Sequence, residues 1–267
     1  MHEKIMGVEL TLKAFLNENQ QLIKMIADKY HTVEHIHEND HIFRFVMEHP
    51  SFSSGEQAIE YYFNDGQKSA SLFMELIQEL LEVKEEPTQV LEFASGYGRI
   101  TRYLLNQERK LDITACDIHE EAVNFIKEKL SAKVLLSHTQ PELFTVPHSY
   151  HVVFALSFFS HIPDSTWFRW LKTLYNTLQP GGLLIFTTHG YQSKKMSGTP
   201  ELNSEGYWFA PGSEQLDLEG QDYGVTVVSP AYVCKKIELL PENPVIVRMV
   251  EGFWWGHQDL YIIRKGI

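Results

Sequence analysis

The stretch Val90 to Thr101, VLEFASGYGRIT, is where residue types and spacing first suggest chemistry. An apolar run ends in an acid, Glu92, and two glycines two residues apart, Gly96 and Gly98, open a helical pattern. At the carboxyl end of a strand, such glycines let the backbone turn sharply and approach a ligand that a Cβ would exclude. A triphosphate needs a GxxxxGK[ST] loop, and no lysine follows either glycine. A dinucleotide needs a third glycine where Thr101 stands, and Glu92 would set a carboxylate against a pyrophosphate. S-adenosylmethionine carries a sulfonium and an ammonium and no phosphate, so an acid at the strand end suits it best.

Asp117 closes the next strand, nineteen residues after Gly98. There a carboxylate can accept both hydroxyls of a ribose, or it can cap a helix over 119–131; beside the glycine turn the ribose reading is preferred. NAD sites use the same device, so Asp117 points to a ribose diol and not to one cofactor. Two histidines fall where strand ends face the crevice of such a sheet: His161 in SFFSHIPD and His189 in TTHG. An imidazole there can take a proton near neutral pH. The alternatives are a loop residue ahead of a helix capped by Asp164, and a strand-end packing residue.

The elements that must position these groups follow from periodicity. Apolar residues at Leu12, Phe15, Leu16, Ile23, Ile26, Tyr30 and Val33 predict an amphipathic helix over 8–34. Further helices are expected over 56–63 and 69–83. From Thr88 short β-rich runs appear at QVLEF, DITACD, KVLL, YHVVFALS, LLIFTTH, VIVRMVEGF and DLYIIRK. Helical segments at 98–107, 119–131, 164–178 and 229–239 alternate with them, which predicts βαβ units and a largely parallel sheet. Only WWGHQ joins the last two runs, so they are expected to pair as an antiparallel edge hairpin. The expected organisation is an N-terminal helical extension or cap over 1–84 and an α/β domain over 85–267 with a long, structureless insertion at 190–228. Tyr207, Trp208 and Phe209 in the insertion, with Trp254 and Trp255, either wall an acceptor pocket or bury the loop.

The 267 residues are 43% hydrophobic, with a net charge of −12 and a pI of about 5.5. No basic cluster exceeds Lys194-Lys195 or Lys235-Lys236, which argues against a nucleic-acid partner. Only Cys116 and Cys234 occur, no signal segment or membrane-length apolar run is visible, and a cytoplasmic location is expected. His31, His35, His37 and His41 lack accompanying cysteines or an HExxH pattern. A solvated, polar helix end is preferred to a metal site there, and no metal is expected.

VLEFASGYGRITRYL, ACDIHEEAV, YHVVFALSFFSHIPD and LQPGGLLIFTTHG, in this order and spacing, resemble the successive motifs of class I S-adenosylmethionine-dependent methyltransferases. The resemblance covers about 60–267. YYFNDGQKSA and GHQDLYIIRK resemble a bacterial subgroup associated with glycan or secondary-metabolite modification. It implies a seven-stranded, mostly parallel sheet in the order 3-2-1-4-5-7-6, with strand 7 antiparallel and helices on both faces. It also implies cofactor contacts from Glu92, Phe93, Ala94, Ser95, Gly96, Gly98 and Arg99, with Asp117 and Ile118 at the ribose. Ser137, His138 and Thr139 would flank the adenine, without the acid that many members place there. Leu156, Ser157 and Phe158 would lie under the methionine part. Amino-methyltransferases of the nucleobase and glutamine type carry an [ND]PP[YFW] tetrad where this chain reads SFFS, and catechol-type enzymes hold Mg²⁺ through carboxylates that FALSFFSH lacks. The implied activity is metal-independent methyl transfer to a small-molecule or glycan acceptor; a base role falls to His161 or His189 by position, and the N-terminal helices are expected to cover the cofactor crevice or form a homodimer contact. The alternatives are a non-catalytic binding protein of the same fold and an NAD-linked reductase.

Overall fold

The N-terminal third folds as helices because its apolar residues recur at helical spacing and polar residues stand where helices begin. The computed structural model describes residues 12–82, 85–108, 110–212, 215 and 217–267. The chain divides into two compact units, 1–87 with 95–134 and 88–94 with 135–267.

In the first unit, α1 (12–18) and α2 (Gln20–Lys29) are separated at Asn19. Asp40 caps α3 (His41–Glu48), accepting the Phe43 N–H at 3.0 Å and the Tyr62 hydroxyl at 2.6 Å. Ser54 caps α4 (Gly55–Leu80), its Oγ accepting the Gln57 N–H at 3.3 Å. Leu12, Ile23, Ile26, Phe43, Ile59, Tyr62 and Phe63 close into one buried cluster. The helix expected over 8–34 therefore ends at Lys29, where His31 takes a left-handed conformation at φ 53° and releases Val33 from the helix. Its residues 8–11 lie outside the described residues, as does residue 83 of the helix expected over 69–83.

The two helices expected over 56–83 are one. α4 runs straight through Asn64-Asp65-Gly66, a triplet whose local preference is to break a helix. Gly66 serves close approach instead: a Cβ there would stand 2.5 Å from the Arg99 carbonyl oxygen and 3.0 Å from the Tyr103 ring. Propensity alone would make Gly66→Ala stabilising by about 1 kcal/mol. The clash with a backbone oxygen reverses the sign, and we expect a loss of about 1–3 kcal/mol. Urea unfolding of the two proteins reads that sign.

The same unit holds α5 (Thr101–Leu104), β2 (Leu111–Asp117) and α6 (Glu120–Phe125), which continues as a π turn over Ile126–Leu130. The helices expected over 98–107 and 119–131 are thus shorter or wider than an α-helix of that length. Tyr97, Ala115, Ala122, Phe125, Ile126 and Leu130 form the cluster beneath them. β3 (Lys133–Leu136) follows.

In the second unit, β1 (Thr88–Phe93), β4 (Tyr150–Ala155) and β5 (Leu178–His189) run parallel. Their apolar runs are continuous rather than alternating, as for strands covered on both faces. Val90, Leu91, Val152, Phe154, Leu184 and Phe186 are all fully buried. Between β4 and β5 lies α7 (Asp164–Asn176); Asp164 is its first residue, capped by nothing from its own side chain and bonded instead to Tyr232 and Lys236.

Among the described residues the sheet has nine strands in the order β3-β2-β1-β4-β5-β7-β6, with β9 also on β5 and β8 on β9. β9 (Gln258–Arg264) lies antiparallel to β5, and β8 (Val245–Trp254) antiparallel to β9. The seven expected strands are thus β1 to β5, β8 and β9, with the last one reversed beside the fifth. β8 is the outer strand, with Val245 and Ile246 exposed.

The two extra strands correct the reading of 190–228 as structureless. It contains α8 (Tyr191–Ser197) and a hairpin of β6 (Tyr207–Pro211) and β7 (Gly224–Val228). β7 adds to the end of β5 through His189 and Val227. α9 (Pro230–Glu238) then leads to β8. Tyr207 is buried beside Tyr232, and Trp254 is 1% exposed against Phe154; both are core residues and not pocket walls. Trp208 and Phe209 are half-buried on β6.

Candidate active site

β1 ends in Glu92 and Phe93, both buried, and Ala94 then takes a left-handed conformation at φ 58°. Phe93 is packed by the rings of Phe144, Phe158 and Trp170. Gly96 and Gly98 are also left-handed, at φ 55° and 76°, so the turn requires them twice over. A Cβ on Gly96 would meet nothing within 4 Å, whereas one on Gly98 would press on Leu130 at 2.5 Å. The space over Gly96 is open, and that beneath Gly98 is filled by the unit's own core.

Asp117 at the end of β2 braces this turn. Its Oδ2 accepts the Gly96 N–H at 2.7 Å, and its Oδ1 accepts from the N–H of His119 at 3.1 Å and from its Nδ1 at 2.8 Å. Ser95 bonds the Cys116 carbonyl through its N–H at 3.0 Å and its hydroxyl at 3.3 Å. Ile118, half-buried, follows Asp117 directly. Arg99 turns to α4, where its guanidinium pairs with Asp65.

The first unit adds residues that periodicity did not single out. Arg102 is 2% exposed and donates to Gly98 at 3.2 Å, Val33 at 3.1 Å and His35 at 2.9 Å, all carbonyls. It therefore fastens the segment after α2 to the glycine turn. Along that segment His37 stacks on Tyr97 at 4.7 Å, and Asn39 and Tyr97 both donate to Glu121 at 2.9 Å. The visible signal was an arginine four residues after Gly98, one helical turn on. Of the early histidines, His37 and His41 are ring neighbours of Tyr97 and His119.

In the second unit, the loop after β4 carries Leu156, Ser157 and Phe158. Ser157 is left-handed at φ 60°, a costly conformation for a residue with a Cβ. A buried polar network holds it there. Its N–H donates to Thr187 Oγ1 at 2.8 Å, and that hydroxyl donates to Gln258 Oε1 at 2.6 Å. The Gln258 amide in turn donates to Ser157 Oγ at 2.8 Å and to His189 Nε2 at 3.3 Å. Ser160 completes the loop, its hydroxyl donating to the Ser157 carbonyl at 2.8 Å. After β3, Ser137 is half-buried, and His138 and Thr139 are exposed, His138 accepting the Gln140 N–H at 3.0 Å.

The two candidate bases differ. His161 is buried, and its Nδ1 lies 2.8 Å from the Gly224 carbonyl. A carbonyl only accepts, so Nδ1 carries a proton, and in the neutral ring the lone pair lies at Nε2. His189 is held down to about 3 by burial first, then by His161 and His257 beside it. Its Nε2 already accepts from Gln258, so it is a neutral group fixed in place.

Asp259, next to Gln258, is fully buried. Its Oδ1 accepts the Gly252 N–H at 2.9 Å, while Oδ2 has no hydrogen-bond partner among the described residues and sits where a Gly190 Cβ would be. Burial raises its carboxyl to about 6, with Glu251 adding to the shift against the Gly252 bond. The folded state thus binds the proton more tightly than the unfolded chain. Its contribution to stability is complete below pH 4 and is lost as pH rises through about 6. Asp259→Asn removes that loss: above pH 7 the variant should exceed wild type by roughly 2–3 kcal/mol, and near pH 4 the two should converge. Denaturant midpoints at both pH values read the difference.

Residues 91–184 match the family model described as a methyltransferase domain. That stretch, which is under half of the chain, carries the glycine turn, Asp117 and the loop after β4. Among the proteins the chain is similar to, malonyl-[acyl-carrier protein] O-methyltransferase 2 of Ilyobacter polytropus is 26% identical over 112 residues. That match covers 41% of this chain and 42% of the relative, less than half of either. Magnesium protoporphyrin IX methyltransferase from Synechocystis superposes with a TM-score of 0.55 at 13% identity, over 84% of this chain and 93% of the other. The 1,6-didemethyltoxoflavin-N1-methyltransferase of Burkholderia thailandensis gives 0.52 at 15% identity, over 88% and 94%. At such identities the superpositions show the fold. No helix among the described residues is long and apolar enough to cross a membrane.

Proposed function

We propose that this chain is a class I methyltransferase that binds S-adenosylmethionine at the glycine turn and transfers its methyl group, without a metal, to a small-molecule or glycan acceptor. The observation that carries the reading is the brace from Asp117 to Gly96, which holds a left-handed turn open on its ligand side. A buried carboxylate at Glu92, with no lysine or third glycine for phosphate, suits the ammonium of an amino-acid moiety. When bound, S-adenosylmethionine supplies a methyl group activated by its sulfonium.

The chain's own residues then have distinct tasks. Asp117 accepts from a ribose hydroxyl through Oδ2 and Ile118 packs beside it. Ala94, Ser95, Gly96 and Gly98 present backbone to the ligand. Ser137, His138 and Thr139 face the adenine, and Leu156, Ser157 and Phe158 the methionine part. Phe93 and Arg99 support the turn from behind, through the aromatic cluster and Asp65. His161 Nε2 accepts the proton of the acceptor, and His189 positions Gln258 and through it Ser157. Residues 1–84 act as a cap on the turn, drawn down by Arg102. Met25 on α2 and Phe45 on α3 are exposed and suit a homodimer contact, which light scattering decides. Both cysteines are free thiols, in keeping with a cytoplasmic location.

Equilibrium dialysis with S-adenosylmethionine and NAD side by side tests the cofactor. Retention of the first alone is expected, and retention of NAD alone would overturn the reading.

A further inference from the structure

Five rings of the second unit lie in continuous contact at the carboxyl end of β5. Tyr223 stacks on His161 with centroids 4.8 Å apart and planes within 10°. His161 meets His189 at 5.9 Å, His189 meets His257 at 5.8 Å, and His257 meets Trp255 at 6.1 Å. Tyr223, His189, His257 and Trp255 are half-buried and His161 between them is buried, so the row keeps accessible area on either side of His161. Ligands of open α/β sheets bind beyond the carboxyl ends of the strands, and this row stands there.

Two features mark the row as more than packing. Trp255 is left-handed at φ 53°, a backbone state that a glycine would take without cost, yet the position holds the largest side chain available. Ser193 fixes His257 from behind, its hydroxyl 3.0 Å from Nδ1 and 2.8 Å from the residue's own carbonyl. The charge of the row is equally specific. Burial favours the neutral form of both His189 and His257, and at His189 the neighbouring imidazoles of His161 and His257 act in the same direction. At neutral pH these imidazoles are uncharged. An acceptor carrying a free carboxylate or phosphate would lose its hydration there against neutral rings.

We infer that the row from Tyr223 to Trp255 is the acceptor subsite, and that it takes an uncharged planar ring system whose hydroxyl or ring N–H is presented to His161. Flat faces match flat faces, and offset or edge contacts with Tyr223 and Trp255 at the two ends would orient the ring. This inference rests on the methyl-transfer reading. It separates this chain's acceptor from the malonyl-[acyl-carrier protein] named for the Ilyobacter relative.

The test is calorimetry and saturation-transfer NMR on the complex with S-adenosylhomocysteine, using 1-naphthol as probe and malonate and methyl α-glucoside as competitors. Binding of 1-naphthol is expected, with no displacement by either competitor. Tyr223→Ala combined with Trp255→Gly should weaken it about tenfold while leaving the affinity for S-adenosylhomocysteine unchanged. Glycine is chosen at 255 because it suits the left-handed backbone, and the retained S-adenosylhomocysteine affinity reports folding. Preferred binding of malonate or the glucoside, absence of 1-naphthol binding, or an unchanged 1-naphthol affinity in the double variant overturns the subsite. Failure of S-adenosylhomocysteine to bind wild type would instead overturn the methyl-transfer reading beneath it.

Discussion

Asp117→Ala should lower the affinity for S-adenosylhomocysteine by at least about tenfold. The carboxylate has two tasks, and alanine removes both. It braces the turn through Gly96 at 2.7 Å, and with both Oδ1 sites taken by His119 its remaining Oδ2 lone pair is available to a ribose hydroxyl. A hydrogen bond to a charged group contributes about 1.5–3 kcal/mol, so one lost ribose bond already accounts for the tenfold effect. The tasks separate by ligand. Wild type should favour adenosine over 2′-deoxyadenosine, and Asp117→Ala should bind the two alike. A variant that binds both weakly yet still discriminates would show that Asp117 only shapes the turn. Isothermal titration with the four combinations decides between them.

His161→Asn should reduce kcat about 100-fold or more, the usual share of a general base, with the affinity for S-adenosylhomocysteine unchanged. Asparagine can keep the donor toward the Gly224 carbonyl that now lies 2.8 Å from Nδ1, so the loop has little reason to rearrange. What it loses is the lone pair at the Nε2 position. His189→Asn should act differently, because His189 is held down to about 3 and already accepts from Gln258. Its loss should raise the KM for the acceptor more than it lowers kcat, as expected of a positioning residue. Equal kcat losses in the two variants would remove the distinction between base and support.

The sheet was legible because its inner strands are covered on both faces and read as unbroken apolar runs, LLIFTT in β5 being the clearest. The reversed last strand was legible from the short WWGHQ connection, which no parallel crossover could span. The glycine turn was legible because Gly96 and Gly98 occupy left-handed positions that local chemistry alone demands. Other features depend on partners distant in sequence. Asn64-Asp65-Gly66 reads as a helix break until the Arg99 carbonyl is placed against Gly66 and the Arg99 side chain against Asp65. The β6–β7 hairpin was hidden because its strands are short and half-buried, and its place is given by His189 and Val227 rather than by its own pattern. Gln258 opens an apolar strand beside Asp259 with no visible purpose until Thr187, Ser157 and His189 are brought around it. The same holds for Arg102, whose partners Val33 and His35 lie more than sixty residues earlier.

The most direct test of the account is a calorimetric titration of S-adenosylhomocysteine into the wild-type chain. One-to-one binding with a micromolar Kd is the predicted result. No heat of binding at about 1 mM ligand, where a Kd below millimolar must register, would contradict it.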